Sequence, residues 1–203
     1  MPAAGIGALT DASGPSAWST YFAVDDADAT AERVADAGGE ITTGPESVGD
    51  SGRLGFGSDC TGAVFGIWEA GTHFGAAVVN EHGGLNWNEL ITHDSESALG
   101  FYEQVFGHGR KDATTPGGRQ YWMLTVESRE IAGVIEPRTA GVSSHWTVYF
   151  AVDDVDRAGS TAEQEGGQVS FGPIDQPGVG RFVGLKDPIG AHLTVIELEN
   201  EID

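Results

Sequence analysis

A stretch of nine residues occurs twice in this chain. Trp18-Ser-Thr-Tyr-Phe-Ala-Val-Asp-Asp26 returns as Trp146-Thr-Val-Tyr-Phe-Ala-Val-Asp-Asp154, 128 residues later. The same spacing, without a gap, relates Gly38-Gly39 to Gly166-Gly167, Gly44-Pro45 to Gly172-Pro173, Asp59 to Asp187 and Glu69 to Glu197. A repeat whose turn glycines stay in register means two copies of one folding unit, a tighter constraint than any residue propensity. Ala4-Gly5 matches Ala132-Gly133 at that spacing too. Residues 3–9 are therefore expected to be the last strand of a further unit whose βαββ portion is absent.

A third, diverged copy lies between the two. Trp87-Asn-Glu-Leu-Ile-Thr-His-Asp94 keeps the order of Trp, six residues, Asp. Each copy reads as a short alternating strand closed by an aspartate (Asp25, Asp94, Asp153) suited to cap a helix. The helices are expected near 27–37, 95–106 and 155–165. In the middle one Ala98, Tyr102, Val105 and Phe106 share a face, and Gly107 stands at the C-terminal stop. Three short strands follow in each copy, such as Gln168–Phe171, Arg181–Lys186 and Ala191–Leu198, separated by Gly-Pro and Gly-x-Gly-Arg turns. The unit is βαβββ and the class α+β.

Charge narrows the partners. Ten Lys and Arg against 31 Asp and Glu give a formal net charge of −21, which argues against nucleic acid and against an anionic membrane surface. The acids are spread along the chain, the pattern of a surface kept hydrated in concentrated salt; a pocket for a cationic ligand is the sharper alternative. Cys60 is the one cysteine, so no intramolecular disulfide and no cysteine zinc cluster can form. No apolar run of membrane-spanning length and no secretory leader pattern is present, so a cytoplasmic location is expected. Phosphate-loop, dinucleotide and nucleophile-elbow motifs are missing. Paired acids such as Asp25-Asp26 are explained by helix capping.

Phe101-Tyr-Glu-Gln-Val-Phe-Gly107, Asp187-Pro-Ile-Gly-Ala191 and its counterpart Asp59-Cys-Thr-Gly-Ala63, with repeated βαβββ units, resemble the vicinal oxygen chelate superfamily of glyoxalases, bleomycin-resistance proteins and extradiol dioxygenases. Gly71-Thr-His-Phe-Gly75 and Trp87-Asn-Glu-Leu90 are similar to its tandem-duplicated, four-unit subgroup. The resemblance implies curled, cup-shaped mixed sheets with helices on the outer face, and units that pair. It suggests an incomplete first domain over 1–80 and a complete second one, of two paired units, over 81–203. The unit at Trp18 is then left with an open edge, a liability met by pairing two chains in a symmetric homodimer.

Metal-binding relatives carry, by the same resemblance, a His on the first strand of a unit and a Glu on the last. Here the His positions hold Trp18, Trp87 and Trp146, and an indole N–H only donates. Glu69 and Glu197 keep the glutamates. Strand alternation turns His145 away from Trp146 and His192 away from Glu197, which leaves His73 in a linker as the best surviving ligand. No metal or other cofactor is expected, with a divalent ion as the alternative. Trp18, Trp87, Trp146, Met123 and Glu69 are candidate ligand-binding residues lining an apolar cup. Glu89 and Glu197 are candidate general acids or bases, with Tyr121 a hydrogen-bond donor. Three functions stay open: a metal-independent protein binding or transforming a planar aromatic or polyketide-like metabolite, a drug-sequestering resistance protein without chemistry, and a divalent-metal glyoxalase or dioxygenase.

Overall fold

The computed structural model describes residues 1–8 and 15–199. Three βαβββ repeats follow one another in it. The first is β1 (Tyr21–Val24), α1 (Ala27–Asp36), β2 (Glu40–Val48), β3 (Gly52–Ser58) and β4 (Val64–Ala70). The second is β5 (Leu85–Ile91), α2 (Ser95–Phe106), β6 (Gly109–Thr114), β7 (Gln120–Val126) and β8 (Arg129–Ile135). The third is β9 (His145–Ala151), α3 (Val155–Gln164), β10 (Gln168–Gln176), β11 (Gly180–Lys186) and β12 (His192–Leu198).

Strand order is β1-β4-β3-β2 in one sheet and β10-β11-β12-β9-β5-β8-β7-β6 in the other. In every repeat the first strand lies parallel to the last, as in Val24↔Glu69, Ile91↔Ile135 and Ala151↔Ile196, while the remaining strands of the repeat pair antiparallel. The helix supplies the crossover that a parallel pair requires. The sheets are mixed and open, with helices on one face, which is the expected α+β class.

Capping fixes the helix starts. Asp26, Asp94 and Asp154 accept hydrogen bonds from Ala29, Ser97 and Arg157 N at 2.9, 3.1 and 2.8 Å. In the first and third repeats the cap is thus the second aspartate of the pair, not Asp25 or Asp153. Ala27 and Val155 are fully buried, so the first helical turn must face the core, and the residue just before it takes the cap. Gly107 ends α2 in the left-handed region at φ 70, its N–H bonded to Glu103 O.

The chain forms two compact bodies: Ser19–Phe74 with Asn88–Trp146, and Met1–Trp18 with Gly75–Trp87 and Thr147–Asp203. In the former, α1 and α2 pack together, and Phe22, Phe65, Ile67, Tyr102, Leu124 and Trp146 share one core. In the latter, Val155, Val183, Leu185 and Val195 form the core beneath α3. Residues 3–8 are not a strand, contrary to expectation; Ile6 is 95% exposed, and residue 9 lies outside the described residues. A last strand in this fold needs a neighbour on either side, and just before the segment Pro2 O accepts instead from Ala77 and Val78 N. β1 likewise starts four residues later than β9 does in the repeat. β9 lies between β12 and β5 in the strand order, whereas β1, among the described residues, stands at a sheet edge beside β4.

Candidate functional site

Alternation along a strand decides which side chains can meet a ligand. Leu90 on β5 and Trp122 and Leu124 on β7 are buried in the core under α2. Trp87, Glu89, Tyr121 and Met123 therefore project from the opposite, open face, all four half-buried. Glu89 and Met123 both pair with Gly133, which has no side chain to fill the space between them. The Tyr121 hydroxyl donates to Glu89 Oε1 at 3.0 Å. At the rim, Lys111 pairs opposite Met123 and is tied to Glu130. An acid, a phenol, a thioether and an indole on one open sheet face suit an apolar ligand carrying one hydroxyl or carbonyl group.

Glu69 and Glu197 do something else. Each shares strand parity with core residues, Phe65 and Ile67 in one case and Val195 in the other, and so faces the helix. Glu69 Oε2 accepts the N–H of Ala27 at 2.9 Å, and Glu197 Oε2 accepts that of Val155 at 3.1 Å. These carboxylates hold the first N–H of α1 and α3, where the helix dipole favours an anion. Their placement on an acid–base or ligand-lining face is corrected accordingly. The second repeat has a third such acid, Glu136, whose Oε1 accepts from Ser95 Oγ at 3.0 Å at the start of α2. Sequence reasoning missed it; its distance from the capping aspartate was the available signal.

The tryptophans diverge as well. Trp146 shares parity with Val148 and Phe150 and is 7% exposed. Its Nε1 donates to Tyr102 Oη at 2.8 Å, and Tyr102 donates to Asp59 Oδ2 at 3.0 Å. Burial, with the Asp59 carboxylate next in weight, pushes the Tyr102 phenol well above its usual range. Trp146 is thus a core residue and not part of an open cup. Trp18 precedes β1 and packs edge-on against Phe150 at 5.0 Å. Trp87 alone of the three stands on the Glu89 face.

The side chains present do not fit the metal site that metal-dependent relatives imply. Among the described residues no group of three His, Cys, Asp or Glu is close enough to hold an ion. His73 meets Trp68 edge-on at 5.8 Å, and its carbonyl accepts the Trp68 indole N–H. Cys60 is exposed and donates to Ser97 O; burial of the sulfur, then nearby Asp59 and Asp94, raises its thiol pKa, the opposite of an activated nucleophile. Clefts of about 290 and 270 Å³ open elsewhere among the described residues, one lined by Arg119, Trp122 and Arg138 and the other by Asp25, Arg33 and Phe106, and neither includes Glu89 or Tyr121.

The sequence profile of the Glyoxalase/Bleomycin resistance protein/Dioxygenase superfamily matches residues 4–68 and 84–195. The chain belongs to this superfamily. Within it, CFP32 of Mycobacterium bovis, provisionally named a glyoxylase, is 45% identical over 183 residues, covering 90% of this chain and 70% of that protein. DauV of Streptomyces sp. strain C5, named an anthracycline biosynthesis protein, is 39% identical over 190 residues, covering 91% of this chain and 66% of that protein. Two solved structures share the glyoxalase/dioxygenase fold at 18% identity. The Mn(II)-bound glyoxalase of Novosphingobium aromaticivorans has a TM-score of 0.59, with 90% of this chain and 63% of that one covered. The 2,3-dioxygenase LapB of Pseudomonas sp. KL28 has 0.56, with 87% and 69% covered. At that identity they speak for the fold alone. No helix among the described residues is long and apolar enough to cross a membrane.

Proposed function

We propose that this superfamily member binds a small planar aromatic or polyketide-like metabolite on the open face of the second repeat, without a metal ion. The observation that carries the reading is the Tyr121–Glu89 hydrogen bond on a face shared with Trp87 and Met123. Indole and thioether supply flat, polarisable contact, and the acid–phenol pair supplies the oriented polar group such a surface needs. The relatives named for anthracycline biosynthesis support the polyketide-like class. In a reaction, Glu89 takes a proton from the bound metabolite while the Tyr121 hydroxyl turns to the oxygen on which charge develops.

Titration of tryptophan fluorescence with 1,8-dihydroxyanthraquinone tests this. Saturable quenching is expected, unchanged after exhaustive chelation, and weakened about tenfold by Glu89→Gln or Tyr121→Phe, the loss of one charge-assisted hydrogen bond. Absence of saturable quenching overturns the proposal, and so does quenching that chelation abolishes and one divalent metal restores. Chemical change of the bound compound separates catalysis from sequestration.

A further inference from the structure

Trp122 follows Tyr121 on β7 and points the other way, into the helix-facing side. The cleft of about 290 Å³ opens there, lined by Arg119, Gln120, Trp122, Glu136, Pro137 and Arg138. Two guanidiniums, an amide and an indole make this lining rich in hydrogen-bond donors. Trp122 is 7% exposed, and its Nε1 is buried with no hydrogen-bond partner. A buried N–H left unpaired is disfavoured and calls for an explanation. The ring is held in place by the Arg110 guanidinium, 5.7 Å from its centroid.

The charges around it are arranged in the same sense. Arg119 Nη2 donates to the backbone carbonyl of Glu136, which orients the guanidinium. Glu136 itself is engaged at the start of α2 through Ser95. Arg53, Arg110, Lys111 and Arg181 are neutralised by carboxylates; Arg119 and Arg138, like Arg33, Arg129, Arg157 and Lys186, form no ion pair among the described residues, but these two converge on one cleft. In a chain with 31 acids and ten bases, two guanidiniums without a carboxylate partner at one cleft, beside an orphaned indole N–H, offer donors to an acceptor from outside. We propose that this cleft binds a small oxyanion, a carboxylate or a phosphate, with Arg138 and the Trp122 N–H donating to it and Arg119 completing the clamp. It lies across β7 from the Glu89 face and is independent of the function proposed there.

The test follows the indole N–H signals of the five tryptophans in the 15N-labelled chain, with Trp122→Phe identifying one of them. Sodium succinate and inorganic phosphate are titrated separately at constant ionic strength. A saturable shift of the Trp122 signal is expected with at least one of them, half-complete near about 1 mM. The anion that saturates tells carboxylate from phosphate. Arg138→Gln, at an exposed position where folding is undisturbed, weakens it at least about tenfold, and Glu89→Gln leaves it unchanged. A Trp122 signal unmoved by either anion overturns the proposal, as does an Arg138→Gln chain that titrates like the parent.

Discussion

Glu89 and Glu197 carry the same side chain in opposite settings. Glu197 holds the first N–H of α3, so Glu197→Gln is expected to cost roughly 0.5–1 kcal/mol in denaturant unfolding while leaving ligand quenching intact. Glu89→Gln should do the reverse. A common effect of both on binding would mean the two acids share a site after all. His108 behaves differently again. It is 7% exposed, its ring lies 5.5 Å from Phe22 and 5.3 Å from Phe106, and its Nδ1 has no partner among the described residues. Burial pushes its pKa down to about 4, against about 6.5 in an unfolded chain. Above pH 6.5 both states are neutral and the group is silent. As pH falls from 6.5 towards 4 only the unfolded chain takes up the proton, so stability is lost across that window. His108→Phe is expected to flatten that part of a stability-against-pH curve; equal slopes for both chains would refute it.

At the level of the helix and strand, caps and turn glycines set the boundaries. Asp94→Ala removes the cap on Ser97 N and is expected to lower stability by about 1 kcal/mol, and Gly107→Ala by about the same, because φ 70 strains any side chain. Urea midpoints report both. These elements were legible in the sequence: the Asp and Gly punctuation placed α1, α2 and α3 to within a residue or so. Less legible was which face a residue uses. Glu69 was readable as the repeat partner of Glu197, but its alternation with Phe65 and Ile67 put it on the buried side, and the repeat alone carries no face. Trp146 followed the same rule with Val148 and Phe150. The Glu89, Tyr121 and Met123 grouping was accessible because its buried alternates, Leu90, Trp122 and Leu124, are apolar. The Trp122 cleft was not, since nothing local shows that Arg119 and Arg138 converge.

Across the whole molecule, 31 acids against ten bases repel one another through water. Among the described residues the ion pairs are surface pairs of Arg53, Arg110, Lys111 and Arg181, and such pairs contribute little each. Screening should therefore outweigh their loss: the thermal midpoint is expected to rise as salt goes from about 0.01 to about 1 M, where the Debye length shrinks from about 30 to about 3 Å. A falling midpoint would show that the pairs dominate. The buried run from Trp146 through Tyr102 to Asp59 reaches further than any one repeat. A recombination crossover anywhere between codons 60 and 145 that brought in a diverged parent would strand a carboxylate, a phenol or an indole inside an apolar core. Inheritance of that stretch as one linked block is the outcome to look for when chimaeras of this chain are screened for soluble expression.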